Sequence, residues 1–172
     1  YRLPRQILDD EIATIAETRV EINTNHRVGS LEELKGFDTV FLTMGITKPM
    51  RLGIEGEDLP GVEECVDFLG RVNLGDHTPI GKRVAIIGGG NVAVDGARTA
   101  LRLGAEEVTI VYRRTRAEMP AYQFEVQAAE QEGVKLMFLV SPLSVRQQDG
   151  QLLLRLQRME LGESDDNGRR RP

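Results

Sequence analysis

The residue types and spacings most able to do chemistry lie between residues 83 and 116. Gly88, Gly90 and Ala93 fit the pattern G-x-G-x-x-A. In such a turn the first glycine makes the bend and the second lets a pyrophosphate approach the backbone. The small third residue lets the following helix sit close to the strand before it. Arg83 to Ile87 is a short apolar run with β-branched residues, bounded by Gly81, and it predicts a buried strand. Asn91 is suited to cap a helix over residues 92–103, stopped by Gly104, whose first N–H groups would face the phosphates. The alternative is a tight turn without a ligand. The strand before and the helix after favour a nucleotide phosphate site.

Val108 to Tyr112 (VTIVY) predicts the next strand, so one strand–helix–strand unit spans residues 83–112. In an NAD-binding unit the end of that second strand carries an acid for the adenine ribose. Here it carries Arg113 and Arg114, with Arg116 just beyond, while Glu106 and Glu107 precede the strand and face its wrong end. Planar guanidinium groups suit a 2′-phosphate, and an acid would repel it. The pattern favours NADP(H) over NAD(H); a solvated basic strand end is the alternative.

The elements that must position these residues follow in chain order. Pro4 predicts a helix to about Glu17, with Ile7, Leu8, Ile12 and Ile15 as one core-packing stripe. Residues 20–23 read as a short strand, 31–34 as one helical turn before Gly36, and 38–44 (DTVFLTM) as a buried strand ending at Gly45. Residues 46–62 are rich in Gly and Pro and read as a connection, followed by a short helix over 63–72 and a further linker. After the nucleotide unit come a helix over 121–131, a strand over 135–140, and strands over 143–148 and 151–161 flanking the hairpin signal Asp149-Gly150. Residues 165–168 would form the next turn. The fold class is therefore α/β: a Rossmann-like parallel sheet with flanking helices and a β-hairpin, preceded by a separate segment.

Forty per cent hydrophobic and 28% charged residues are ordinary for a globular protein, and 172 residues can bury a core. A net charge of −5 argues against general nucleic-acid binding, and no apolar run reaches membrane length. The single cysteine, Cys65, excludes an internal disulfide and any iron–sulfur cluster ligated by this chain alone. It reads as helix packing, and a cytoplasmic setting is the default. His26 and His77 stand isolated in polar stretches, so no metal site is expected. Asp95, one turn into the loop's helix, is favourable there with or without a ligand. Gly96 costs that helix about 1 kcal/mol relative to alanine, which a close backbone contact would explain.

Several longer stretches carry a resemblance: YRLPR, the strand ending in TMG, IEGEDLPGV, DFLGRVN, GKRVAIIGGGNVAVD, ARTALRLGAEEVTIVYRRTRAEMP and RMELGESDDNGRRRP. Together they resemble the NADPH-dependent glutamate synthase small (beta) subunit family and its relatives, including the matching part of dihydropyrimidine dehydrogenase. Such proteins are similar to adrenodoxin reductase in having two Rossmann-like domains, with the NADPH domain inserted into the FAD domain. The resemblance implies that residues 1–50 are a partial FAD-domain segment, 51–77 a connection, and 78–172 the NAD(P)H-binding domain without its end. It implies that Arg2 lies near FAD, that Val28 makes a backbone contact to the flavin nucleotide, and that Gly45 belongs to the turn between domains. It further implies that Gly89, Gly90, Asn91 and Val92 form the pyrophosphate loop, and that Arg113 and Arg114 form the 2′-phosphate pair. Arg116 is a further match of variable spacing.

The resemblance also implies a reaction in which hydride passes from NADPH to FAD and electrons leave through iron–sulfur centres. The cofactors carry that chemistry, so no catalytic acid, base or nucleophile is expected in this chain. No G-x-G-x-x-G/A stands upstream of Arg83, and the family's upstream cysteines and downstream flavin segment are not in the sequence. The chain is thus expected to be a piece of a longer parent, which alone would bind NADPH without retaining FAD and would tend to self-associate. Its expected partners are the remainder of its FAD domain and an iron–sulfur domain or the large glutamate synthase subunit. Glutamate synthesis, or the equivalent step in a pyrimidine, sulfide or ferredoxin-linked relative, is the implied destination of the electrons. A nucleotide-binding module without turnover is the rival reading.

Overall fold

The computed structural model describes residues 3–45, 51–76, 78–164 and 170–172. Arg2, His77 and the turn expected over 165–168 lie outside the described residues. The chain divides into two units, Tyr1–Ile46 and Thr47–Pro172.

In the first unit, helix α1 (Arg5–Glu17) starts after Pro4, which leads the chain in at φ −58° without adding a donor. It stops where the Thr18 hydroxyl donates to the Ile15 carbonyl and Arg19 turns left-handed at φ 68°. The apolar stripe is present but uncovered: Ile7 and Ile15 are each 49% exposed, and α1 buries no residue. Leu31–Leu34 forms one 3₁₀ turn, closed by Glu33, whose Oε1 accepts from the N–H groups of Gly29 and Ser30. The strands expected over 20–23 and 38–44 do not form, and Phe41 is 86% exposed. A β-branched run becomes a strand only against a hydrogen-bonding neighbour, and the described residues of this unit offer none.

The second unit is built on a parallel sheet in the order β1 (Arg83–Ile87), β2 (Glu107–Tyr112), β3 (Lys135–Phe138). Helix α3 (Asn91–Arg102) connects the first pair and α4 (Gln123–Gln131) the second. The central strand β2 is the most deeply covered, with Val108 and Ile110 at most 1% exposed. Val94, Ala97 and Ala100 of α3, Val126 and Ala129 of α4, and Phe68 of α2 (Cys65–Asn73) complete the core. Each fully buried Val or Ile contributes about 1.5–3 kcal/mol relative to exposure. β1 is a half-exposed edge rather than the buried strand its composition predicts, because β2 is its only neighbour among the described residues.

Leu139, at φ 55°, turns the chain from β3 into β4 (Val140–Gln148), which pairs antiparallel with β5 (Gln151–Arg158). The hairpin turn falls on Asp149 and Gly150 with φ of 50° and 74°, as a two-residue turn requires. Residues 51–62 lack periodicity yet are ordered. Glu57 accepts from Arg51 Nε and from the N–H groups of Leu52 and Gly53, and Val145 donates to the Glu55 carbonyl at 2.8 Å.

Candidate functional site

The glycine loop joins the C-terminal end of β1 to α3, and each glycine is there for a different reason. Gly88 has φ +139°, a conformation L side chains rarely adopt, and its N–H donates to the Val111 carbonyl of β2 at 3.0 Å. Gly89 lies on Tyr112: a Cβ there would stand 2.4 Å from the ring. Gly90 has φ −91°, which any residue can adopt, and a Cβ there would meet nothing within 4 Å. Neither backbone conformation nor internal packing requires a glycine at this position. Ala93 is buried under the loop, where its small side chain keeps α3 close to Gly88.

Gly90, not Asn91, is the residue that caps α3; its carbonyl accepts from Ala93 and Val94. The loop turns one residue earlier than a side-chain cap would need, and Asn91 is instead the first helical residue. Its Oδ1 accepts from the Tyr122 N–H at 3.0 Å, bracing the loop against the segment that leads into α4. The Gly89 carbonyl accepts from Ala121 on the same segment. Helix geometry leaves the N–H groups of Asn91 and Val92, ahead of the bonds to the Gly90 carbonyl, without intrahelical acceptors, beside the open side of Gly90.

Arg113 and Arg114 follow directly on the C-terminal end of β2, the strand next to the loop. Arg113 is exposed, whereas Arg114 is 6% exposed and donates from Nε to the Arg170 carbonyl at 2.6 Å. Arg116 stands on the 3₁₀ turn Arg116–Glu118, paired with Glu130 and 6.0 Å from the Phe138 ring centroid. An open depression lined by Thr115, Arg116, Ala117, Gln123 and Phe138 borders this strand end. The second unit thus brings together Gly88 to Ala93 and the three arginines. Val28 and Gly45 belong to the first unit, where Val28 is 46% exposed and Gly45 turns at φ +71°.

Residues 4–166 match the pyridine nucleotide-disulphide oxidoreductase family. The chain belongs to that family. Along its whole length it is 48% identical to the NADP(+)-dependent formate dehydrogenase subunit beta of Moorella thermoacetica, covering 26% of that protein. It is 39% identical to the glutamate synthase [NADPH] small chain of Halomonas elongata, covering 39% of it. The chain therefore spans between a quarter and two fifths of these curated relatives. Among solved structures, the Mycobacterium tuberculosis oxidoreductase FprA aligns with TM-score 0.68 at 24% identity, over 81% of this chain and 47% of that one, and shows the same fold.

The glycine loop is supported by residues that the glycine pattern does not mark. Tyr112 donates from its hydroxyl to the Glu118 carbonyl at 2.7 Å, which holds the ring on which Gly89 rests. The Glu118 carboxylate accepts from the Thr115 N–H and hydroxyl, and from Arg170 Nε at 3.2 Å. These bonds, led by that of the Thr115 hydroxyl, hold its carboxyl below the ordinary carboxylate range despite the opposing effect of burial. The spacing Thr115-x-x-Glu118 is a capping box and was the available signal. Cys65 donates its thiol to the Val92 carbonyl at 3.3 Å, and burial first, with nearby acids, pushes its pKa up to about 11. Such a thiol is a packing group rather than a nucleophile. Among the described residues no helix is long and apolar enough to cross a membrane, and no His, Cys, Asp and Glu group could hold a metal.

Proposed function

We propose that the second unit binds NADPH, with Gly88 to Ala93 around the pyrophosphate and Arg113 and Arg114 at the 2′-phosphate. The observation that carries this reading is Gly90. It is a glycine at a helix start whose own fold has no use for it, with vacant space where a side chain would stand. A phosphate approaching the backbone needs that space. The three arginines one strand away supply cations where an NAD site would carry an acid, and the names of the relatives, which specify NADP(+) and NADPH, agree. Arg116, already paired with Glu130, would flank the site rather than bind the phosphate directly.

In the whole protein, NADPH supplies a hydride to FAD, and the electrons pass on to iron–sulfur centres in the same chain or a partner. The residues of this chain bind and orient the nucleotide; none acts as acid, base or nucleophile. Residues 1–50 would belong to the flavin domain, with Arg2, Val28 and Gly45 as flavin contacts, and residues 78–172 to the NADPH domain. Glutamate synthase is one destination for the electrons. The formate dehydrogenase relative is named for NADP(+), the oxidised nucleotide, so by that name electrons run from formate to the nucleotide, and its higher identity makes this reverse direction the second reading.

Gly90→Val tests the reading. At φ −91° and ψ 176° valine is comfortable, so the variant should keep its circular dichroism and lose NADPH binding. Retained affinity in the folded variant would place the phosphate elsewhere.

A further inference from the structure

Glu118 is 9% exposed on a three-residue 3₁₀ turn, and all three of its oxygen acceptors are committed to different elements. Its backbone carbonyl takes the Tyr112 hydroxyl from the end of β2, beneath Gly89. Carboxylate Oε2 takes the Thr115 N–H, which is the carboxylate's half of the capping box, and the Thr115 hydroxyl besides. Oε1 is left over, and it accepts from Arg170 Nε at 3.2 Å. The carbonyl of that same Arg170 accepts from Arg114 Nε at 2.6 Å. That bond holds the Arg114 Nε–H and so restricts the orientation of its guanidinium, a group that recognises a phosphate through planar, bidentate geometry.

A carboxylate bonded to Arg170 and only four residues on from Arg114 would ordinarily oppose an anion at these arginines. Here the chain keeps it, nearly buried and ionised, with Arg170 as its counter-charge. Residues 115–122 thus reach the glycine loop through Gly89 and Asn91 and the arginines through Glu118. Resting on the NADPH reading above, we propose that Glu118 is a positioning residue for cofactor choice. It anchors Arg170, whose carbonyl orients Arg114 toward the 2′-phosphate, so that preference for NADPH over NADH depends on a residue that does not touch the nucleotide.

The test is the ratio of NADH to NADPH dissociation constants, measured by titration in the whole protein for the wild type, Glu118→Gln and Arg170→Gln. Glutamine keeps the cap to Thr115 but loses the ionic anchor. Arg170, whose side chain is 54% exposed, removes the same anchor from the other end without disturbing the core. Both variants should weaken NADPH about tenfold and leave NADH within about twofold, and the double variant should be no worse than either single one. Equal weakening of both cofactors would make Glu118 a merely structural residue and overturn the proposal. So would an unchanged ratio, or a loss in Glu118→Gln that Arg170→Gln does not share. A wild type without preference for NADPH would instead sink the parent reading.

Discussion

Four glycines in one strand–loop–helix stretch answer to four different constraints. Gly88 serves its positive φ and Gly89 the ring of Tyr112; Gly90 faces open space, which the proposed function gives to a phosphate, and Gly96, inside α3, serves a helix partner. A Cβ at Gly96 would stand 2.3 Å from Cys65 Sγ, so the glycine lets α2 close onto α3. Gly96→Ala should therefore destabilise the protein by about 1–2 kcal/mol, although alanine is the better helix former by about 1 kcal/mol. Cys65→Ala in the same chain should recover most of the loss. A double-mutant cycle in thermal or urea unfolding measures it, and additive effects would mean that the two residues do not constrain one another. The pattern pointed to the turn at Gly88 and to the close packing of Ala93, and the role it gives Gly90 is the one proposed above. It carried no sign of Gly89 on Tyr112 or of Gly96 on Cys65, because those partners stand 23 and 31 positions away and spacing rules see only local neighbours.

At the scale of elements, apolar periodicity located β1, α3, β2 and α4 within a residue or two, since each is short, strongly patterned and packed in one unit, and the Asp149-Gly150 signal located the hairpin with its outer strand ends three residues off. It failed over 20–23 and 38–44, where the run of residues is strand-like but no described neighbour completes a ladder. Composition alone also placed β1 in the interior when it is an edge. The part of the contact between α3 and α4 that lies outside the apolar core was illegible for another reason: it is ionic. Glu132 accepts from Arg98 and Arg102, and Arg98 also pairs with Glu125 at 2.6 Å. The guanidinium groups of Arg102 and then Arg98 hold the Glu132 carboxyl at about 2, against an ordinary 4.5. A depressed acid contributes stability that is fully present above the ordinary value and is lost as pH falls through the lower one. Glu132→Gln should lower the melting temperature at neutral pH and flatten the fall in stability between pH 4.5 and about 2. Parallel wild-type and mutant profiles across that interval would show that the α3–α4 clamp adds nothing.

For the molecule as a whole, the residues assigned to the nucleotide all lie in the second unit, and those assigned to the flavin lie in the first. The net charge of −5 means that the general field of the chain opposes a polyanion, so affinity for NADPH must come from the local groups at the ends of β1 and β2. That makes cofactor preference the most direct test of the account. Calorimetric titration of the whole protein with NADPH and NADH should show NADPH favoured by about 2–4 kcal/mol, the sum expected of charge-assisted bonds from Arg113 and Arg114 to one phosphate. Replacing both arginines by alanine should remove that difference while leaving NADH affinity in place. Equal affinities in the wild type, or a preference that survives the double replacement, would contradict the account.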